Sequence, residues 1–185
     1  VIPVNKAIGL LELKSVPIGI LAADDMLKAA DVELLMASPV CPGKYIVIIS
    51  GKVGPVQRAI ESGRQAADVF LIESSVINNI SPSVIPAISG LAMPDKMKSL
   101  GMLESISALT CIVAADTAVK TSDVELVDLR IARGLGGKSF VIFTGEVSSV
   151  RSAMDSCLSE LQAGGTVTSH SIIAAPHPSI SSCLG

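Results

Sequence analysis

Cys41, Cys111, Cys157 and Cys183 are the residues of this chain best equipped for chemistry. A thiolate is both a nucleophile and a soft metal ligand. No two of them form a Cys-x-x-Cys pair. In a reducing compartment they are expected as free thiols or metal ligands, not structural disulfides. Cys41 opens the turn Cys41-Pro42-Gly43-Lys44. Cys111 and Cys157 fall among Ala, Val and Met on expected helices, where packing is the natural role. Cys183 reads as a surface thiol near the end of the sequence. Free cysteine is among the most buried residue types. Residue type alone therefore leaves Cys41 as an incidental thiol, and its place in a Pro-Gly turn argues the other way.

The remaining reactive groups are sparse. His170 and His177 are too few and too isolated for a zinc site. His177, between Pro176 and Pro178, is expected in a loop. Gly134-Leu135-Gly136-Gly137 resembles a phosphate-binding loop at first sight, but lacks the Gly-x-x-x-x-Gly-Lys-Ser/Thr spacing. No Ser-His-Asp set is visible, so the chain is expected not to be an enzyme. A net charge of −3 and no Lys/Arg cluster argue against a nucleic-acid partner. No run approaches the roughly 18 apolar residues of a membrane span. The stretch Val1-Ile2-Pro3-Val4-Asn5-Lys6 lacks a signal-peptide pattern, which predicts a cytosolic protein.

The elements that position these residues follow from a repeat. Gly9-Leu10-Leu11-Glu12 returns as Gly101-Met102-Leu103-Glu104, 92 residues on. Ala22-Ala23-Asp24, Lys28 and Asp31-Val32-Glu33-Leu34 recur at the same shift. Gly43-Lys44, Gly51 and Val53 recur at a shift of 94, and Ser75-Val76-Ile77 at 96. The chain is thus a duplication with two small insertions in its second copy, the first falling beside Cys41. Each copy reads as β-α-β-β-α-β. Ala7 to Leu13 is a strand, and Ser15 and Pro17 start a helix. Glu33 to Ser38 and Tyr45 to Ser50 are strands around the Cys41 turn. Pro55 opens a helix to about Val69, and Leu71 to Ile77 is the fourth strand. The expected domains are 6–80 and 99–185, joined by a linker at 81–98 with at most a short helix. Hydrophobic residues are 49% of the chain and aromatics 2%. So apolar a small chain is expected to bury part of its surface against other subunits.

The strand Ala7-Ile8-Gly9-Leu10-Leu11-Glu12, the helix Ala22-Ala23-Asp24-Asp25-Met26-Leu27-Lys28-Ala29-Ala30 and the segment through Gly51-Lys52-Val53 resemble the bacterial microcompartment shell domain. Val76-Ile77 and Ile172-Ile173-Ala174-Ala175-Pro176-His177 resemble its closing strand. The resemblance covers nearly the whole chain. It is strongest to the tandem-domain, iron–sulfur type of propanediol-utilisation compartments, through Cys41-Pro42-Gly43-Lys44, Pro86-Ala87-Ile88-Ser89-Gly90 and Gly134-Leu135-Gly136-Gly137-Lys138.

That resemblance implies an α/β (α+β) fold of two tandem shell domains, each an antiparallel sheet flanked by helices. It implies homotrimers that look like hexamers, tile with other shell proteins and work with lumenal or cytosolic redox enzymes. Cys41 would be the metal ligand of a 4Fe–4S cluster at the central pore. Pro42, Gly43, Lys44, Gly134, Leu135, Gly136 and Gly137 would form the pore loops. Lys28 and Lys120 match the family's tile-edge lysine; Asn79 and Ala175 stand where its closing Arg is usual. One Cys cannot hold such a cluster, which normally takes four thiolates. Three Cys41 residues around an axis would supply three, one cluster per trimer. The function implied is a shell tile that passes electrons; the alternative is a metabolite-conducting pore that the loop cysteine gates or plugs. A ferredoxin-like enzyme or sensor is a third class, without an acid, base or nucleophile set to support it.

Overall fold

The computed structural model describes residues 6–92, 94, 96–132, 134–161 and 166–184. The stretch read above for a signal peptide lies, but for Lys6, outside them. The chain divides into two compact units, 1–80 and 81–185.

In the first unit β1 (Lys6–Leu13) is followed by α1 (Val16–Ala29), β2 (Glu33–Val40), β3 (Lys44–Lys52), α2 (Val53–Ala67) and β4 (Leu71–Ile77). The sheet is antiparallel with order β2-β3-β1-β4. Ser15 caps α1, its side chain accepting from the Ile18 N–H, and Pro17 lies in the first turn. Such a cap satisfies a donor the helix cannot satisfy itself. Leu11, Leu13, Met26, Val47, Ile49, Val56, Ala59 and Ile60 form a buried core between the two helices and the sheet. β2 runs on to Val40, beyond the expected Ser38, because Pro39 and Val40 still pair with Tyr45 and Lys44.

The second unit repeats the order. It comprises α3 (Val84–Ile88), β5 (Ser99–Ser105), α4 (Ala108–Thr121), β6 (Val124–Arg130), β7 (Ser139–Gly145), α5 (Val147–Leu161), β8 (Val167–Ile173) and α6 (Pro178–Ser181). Its sheet order is β6-β7-β5-β8. Matched irregularities break the pairing of β2 between Leu34 and Met36 and of β6 between Leu126 and Asp128. α3, in the segment read as a linker, packs against α4 and β6 within this unit. His177, expected in a loop, is the N-cap of α6, its Nδ1 accepting from the Ser179 N–H at 3.2 Å.

The two cores are filled differently at matched positions. Cys111 stands where the first copy has Gly19, and Cys157 where it has Gly63. A Cβ on Gly19 would lie 2.7 Å from the Cβ of Tyr45, and one on Gly63 2.6 Å from the Sδ of Met26. The counterparts of Tyr45 and Met26 are Ser139 and Ala118. Glycine facing a large side chain in one copy is therefore cysteine facing a small one in the other. All four of Gly19, Gly63, Cys111 and Cys157 are buried.

Candidate functional site

The turn between β2 and β3 consists of residues 41–43. The Cys41–Pro42 peptide is cis, and Gly43 has φ +64°, a conformation that favours glycine. Cys41 is exposed. Lys44 closes the turn, pairing with Val40 across the strands. Its ammonium lies 2.9 Å from the carboxylate of Glu12, which is buried on β1. The turn is thus tied to the central strand of its sheet by a partly buried ion pair.

The second copy places residues 131–138 between β6 and β7. Gly134, Gly136 and Gly137 have φ of +69°, +61° and +89°, and Ala132 has +50°. The Ala132 N–H donates to the Ser139 Oγ at 3.1 Å, and the Lys138 N–H to the Leu135 carbonyl at 3.1 Å. Lys138 repeats the tether, its Nζ 3.0 Å from Glu104 Oε1. Thr168 also donates to that oxygen at 2.8 Å. The Lys138 hydrogen bond, and after it that of Thr168, holds the Glu104 carboxyl below its ordinary pKa. Sequence reasoning missed Glu12 and Glu104 as partners of the turn lysines. The signal was present, since both members of each pair belong to the recurring segments.

The four thiols divide in two. Cys111 and Cys157 are fully buried, and burial pushes both up to about 12. They keep their protons at neutral pH and are poor ligands. The Cys157 Sγ donates to the Ala114 carbonyl at 3.3 Å. Cys41 and Cys183 are exposed. Among the described residues no three His, Cys, Asp or Glu side chains gather to hold a metal ion. Of the two exposed thiols Cys41 alone lies on the turn between β2 and β3, and a cluster fits it only if several copies share it.

Lys28 and Lys120 lie in the last turns of α1 and α4, where a cation complements the helix carbonyls. Each pairs with the aspartate one turn before it: Lys28 with Asp24, and Lys120 with Asp116 at 2.6 Å. The Asp24 hydrogen bond, above all, raises the pKa of Lys28. Asn79 takes φ +55°, and Ala175 is exposed. His170 lies on β8.

The family profile of the BMC domain matches residues 7–80 and 99–176. The chain is 43% identical over 176 residues to the bacterial microcompartment shell protein PduT of Citrobacter freundii, covering 95% of this chain and 96% of that protein. It is 28% identical over 188 residues to the carboxysome assembly protein CcmO of a Synechocystis strain, of which it covers 62%. A crystal structure of a microcompartments protein from Desulfitobacterium hafniense superposes with a TM-score of 0.93 at 44% identity, over 96% of this chain and 99% of that one. Among the described residues no helix is long and apolar enough to cross a membrane.

Proposed function

Since the chain belongs to the BMC-domain family and is a structural shell protein of a bacterial microcompartment, we propose that three copies close a pseudohexameric ring with one 4Fe–4S cluster at its centre. The observation that carries this reading is the contrast among the thiols. Cys41 is exposed at the tip of a three-residue turn, whereas Cys111 and Cys157 are buried and protonated. Leu135 occupies the position of Cys41 in the second copy, so only alternate turns of such a ring carry a thiolate.

Three Cys41 residues give three thiolates, and the fourth iron takes another ligand. Gly43 lets the backbone come close to its symmetry mates. The pair to Glu12 holds the Lys44 ammonium against β1. Bound there, the cluster supplies single-electron transfer across the shell, with lumenal or cytosolic redox enzymes as partners. A propanediol-utilisation compartment is the setting that the resemblance of the Cys41-Pro42-Gly43-Lys44 turn implies.

Cys41→Ala is the deciding variant. Purified and reconstituted without oxygen, it should lose its iron and its paramagnetic resonance signal, while Cys183→Ala keeps both. Wild-type iron in Cys41→Ala removes the cluster from this site.

A second reading is a metabolite-conducting pore, which the loop cysteine gates or plugs. It draws on the same two turns, the Cys41–Gly43 turn and the glycine loop of the second copy, lining the centre of the ring. Binding of a small metabolite to the iron-free ring would support it.

A further inference from the structure

The two sheets differ on one face. Alternation along β7 turns Val141 and Phe143 to one side and Phe140 and Ile142 to the other. On that second side Ile142 joins Leu100 and Val127 in a small buried cluster to which α4 and α5 contribute nothing. Beside it lies a cavity of about 600 Å³. Small-molecule sites run from roughly 300 to 1,000 Å³, with apolar walls and a few polar groups that fix orientation.

Phe140, Met97 of the segment before β5 and Leu184 beyond α6 give this cavity apolar walls. Asp128 and Arg130, on one face of β6, are its only charged groups among the described residues. The Arg130 Nε donates to Asp128 Oδ2 at 2.9 Å, and the guanidinium carbon stands 6.0 Å from the centre of the Phe140 ring. A guanidinium has several N–H donors and a carboxylate several acceptor sites, so this bond exhausts neither. The pair carries no net charge and presents a donor beside an acceptor.

Nothing in the strand pairing calls for this set. Asp128 lies opposite Ile142, and Arg130 opposite Phe140. At the matched places of the first copy Met36 lies opposite Ile48, and Ser38 opposite Ile46. The same sheet is thus built with an apolar residue for the aspartate, a hydroxyl for the arginine and an aliphatic chain for the ring.

We propose that the cavity binds a flat, uncharged heterocycle that carries an N–H beside a carbonyl oxygen. The ligand N–H donates to the Asp128 carboxylate, the Arg130 guanidinium donates to the ligand carbonyl, and the ring lies against Phe140 and Met97. Charged ligands fit less well, because an anion meets Asp128 and a cation meets Arg130. The site needs neither Cys41 nor a cluster, so it stands apart from the electron-transfer reading.

Theophylline and caffeine are suitable probes. Theophylline has a ring N–H next to a carbonyl, and caffeine has a methyl group in place of that hydrogen. Equilibrium dialysis against the full-length protein should show saturable theophylline binding, with caffeine at least about ten-fold weaker, since its methyl leaves the carboxylate without a donor. The double variant Asp128→Met/Arg130→Ser installs the side chains that the first copy carries at these places, so the sheet should still form. It should bind theophylline at least about ten-fold more weakly than wild type and leave caffeine unchanged. Its thermal midpoint confirms that it is folded. Equal affinity of the wild type for the two probes overturns the proposal. So does an absence of saturable theophylline binding, or theophylline binding that the double variant retains in full.

Discussion

Ile20 and Ile112 occupy the same place in the repeat and opposite places in solvent. Ile20 stands 55% exposed on α1, and Ile112 is fully buried on α4. Two copies with one fold and one sheet order thus present different outer surfaces. The same holds for the turns: one carries a thiol on a short cis-proline turn, the other a longer glycine loop. The two copies share their strand order and pairing, though their cores are filled by different side chains. Duplication left free what each copy shows to its surroundings.

The largest expected effect breaks this comparison at its sharpest point. Ile112→Ala should cost about 2–5 kcal/mol, through lost burial and the cavity left behind. Ile20→Ala should stay within about 0.5 kcal/mol in the dissociated chain. Denaturant midpoints of the two variants check this; equal losses would mean that the two faces are covered alike.

A smaller effect sharpens the comparison of the cores. Gly19→Cys forces a side chain into Tyr45 and should cost about 1–3 kcal/mol. Adding Tyr45→Ser reproduces the Cys111–Ser139 arrangement and should recover most of that loss. Thermal unfolding of the single and double variants measures the recovery. A double variant worse than the single one would show that the two fillings are not interchangeable.

The smallest effect concerns the two buried thiols, which only the second copy has. Their folded pKa is raised from 9.0 to about 12. Below pH 9.0 both states hold the protons, so this stabilisation is intact. As pH rises the unfolded thiols ionise first, and stability is lost between 9.0 and about 12. At pH 9.0 the two together should cost under about 1 kcal/mol. A Cys111→Ala/Cys157→Ala variant compared with wild type from pH 7 to 10 should show a flatter profile.

Much of the fold was legible because the repeat spoke twice. Glycine, Asp, Lys and Glu at nearly constant offsets located both copies, and Ser15 and Pro17 marked the start of α1, whereas β3 runs through Gly51 to Lys52. The β-α-β-β-α-β order follows from those marks, and the strand Leu71–Ile77 stands where the apolar run put it. What was not legible depended on partners distant in sequence. Nothing local to Lys44 names Glu12, although their counterparts Lys138 and Glu104 recur together. The role of 81–98 was hidden because Pro82, Pro86, Gly90 and Pro94 read as a connector. Val84, Ala87 and Ile88 are core residues only once α4 and β6 lie beneath them. His177 was read as loop from its flanking prolines, yet Pro178 suits the first turn of a helix. The sequence places Cys41 on a Pro-Gly turn and the structure leaves it exposed, whereas its ligand role comes from the resemblance.

The paired fillings of the two cores also constrain how such a gene can change. Its halves encode similar segments, so unequal crossing-over and gene conversion between them are open routes. Copying the α4 codons into α1 alone would set a cysteine against Tyr45 and leave Gly63 facing an alanine in place of Met26. One site would be overfilled and the other hollow. Exchange is tolerated only when a helix travels with the strand and helix that face it. The two halves can be swapped as wholes, but not mixed piecemeal, and each has become its own lineage inside one reading frame.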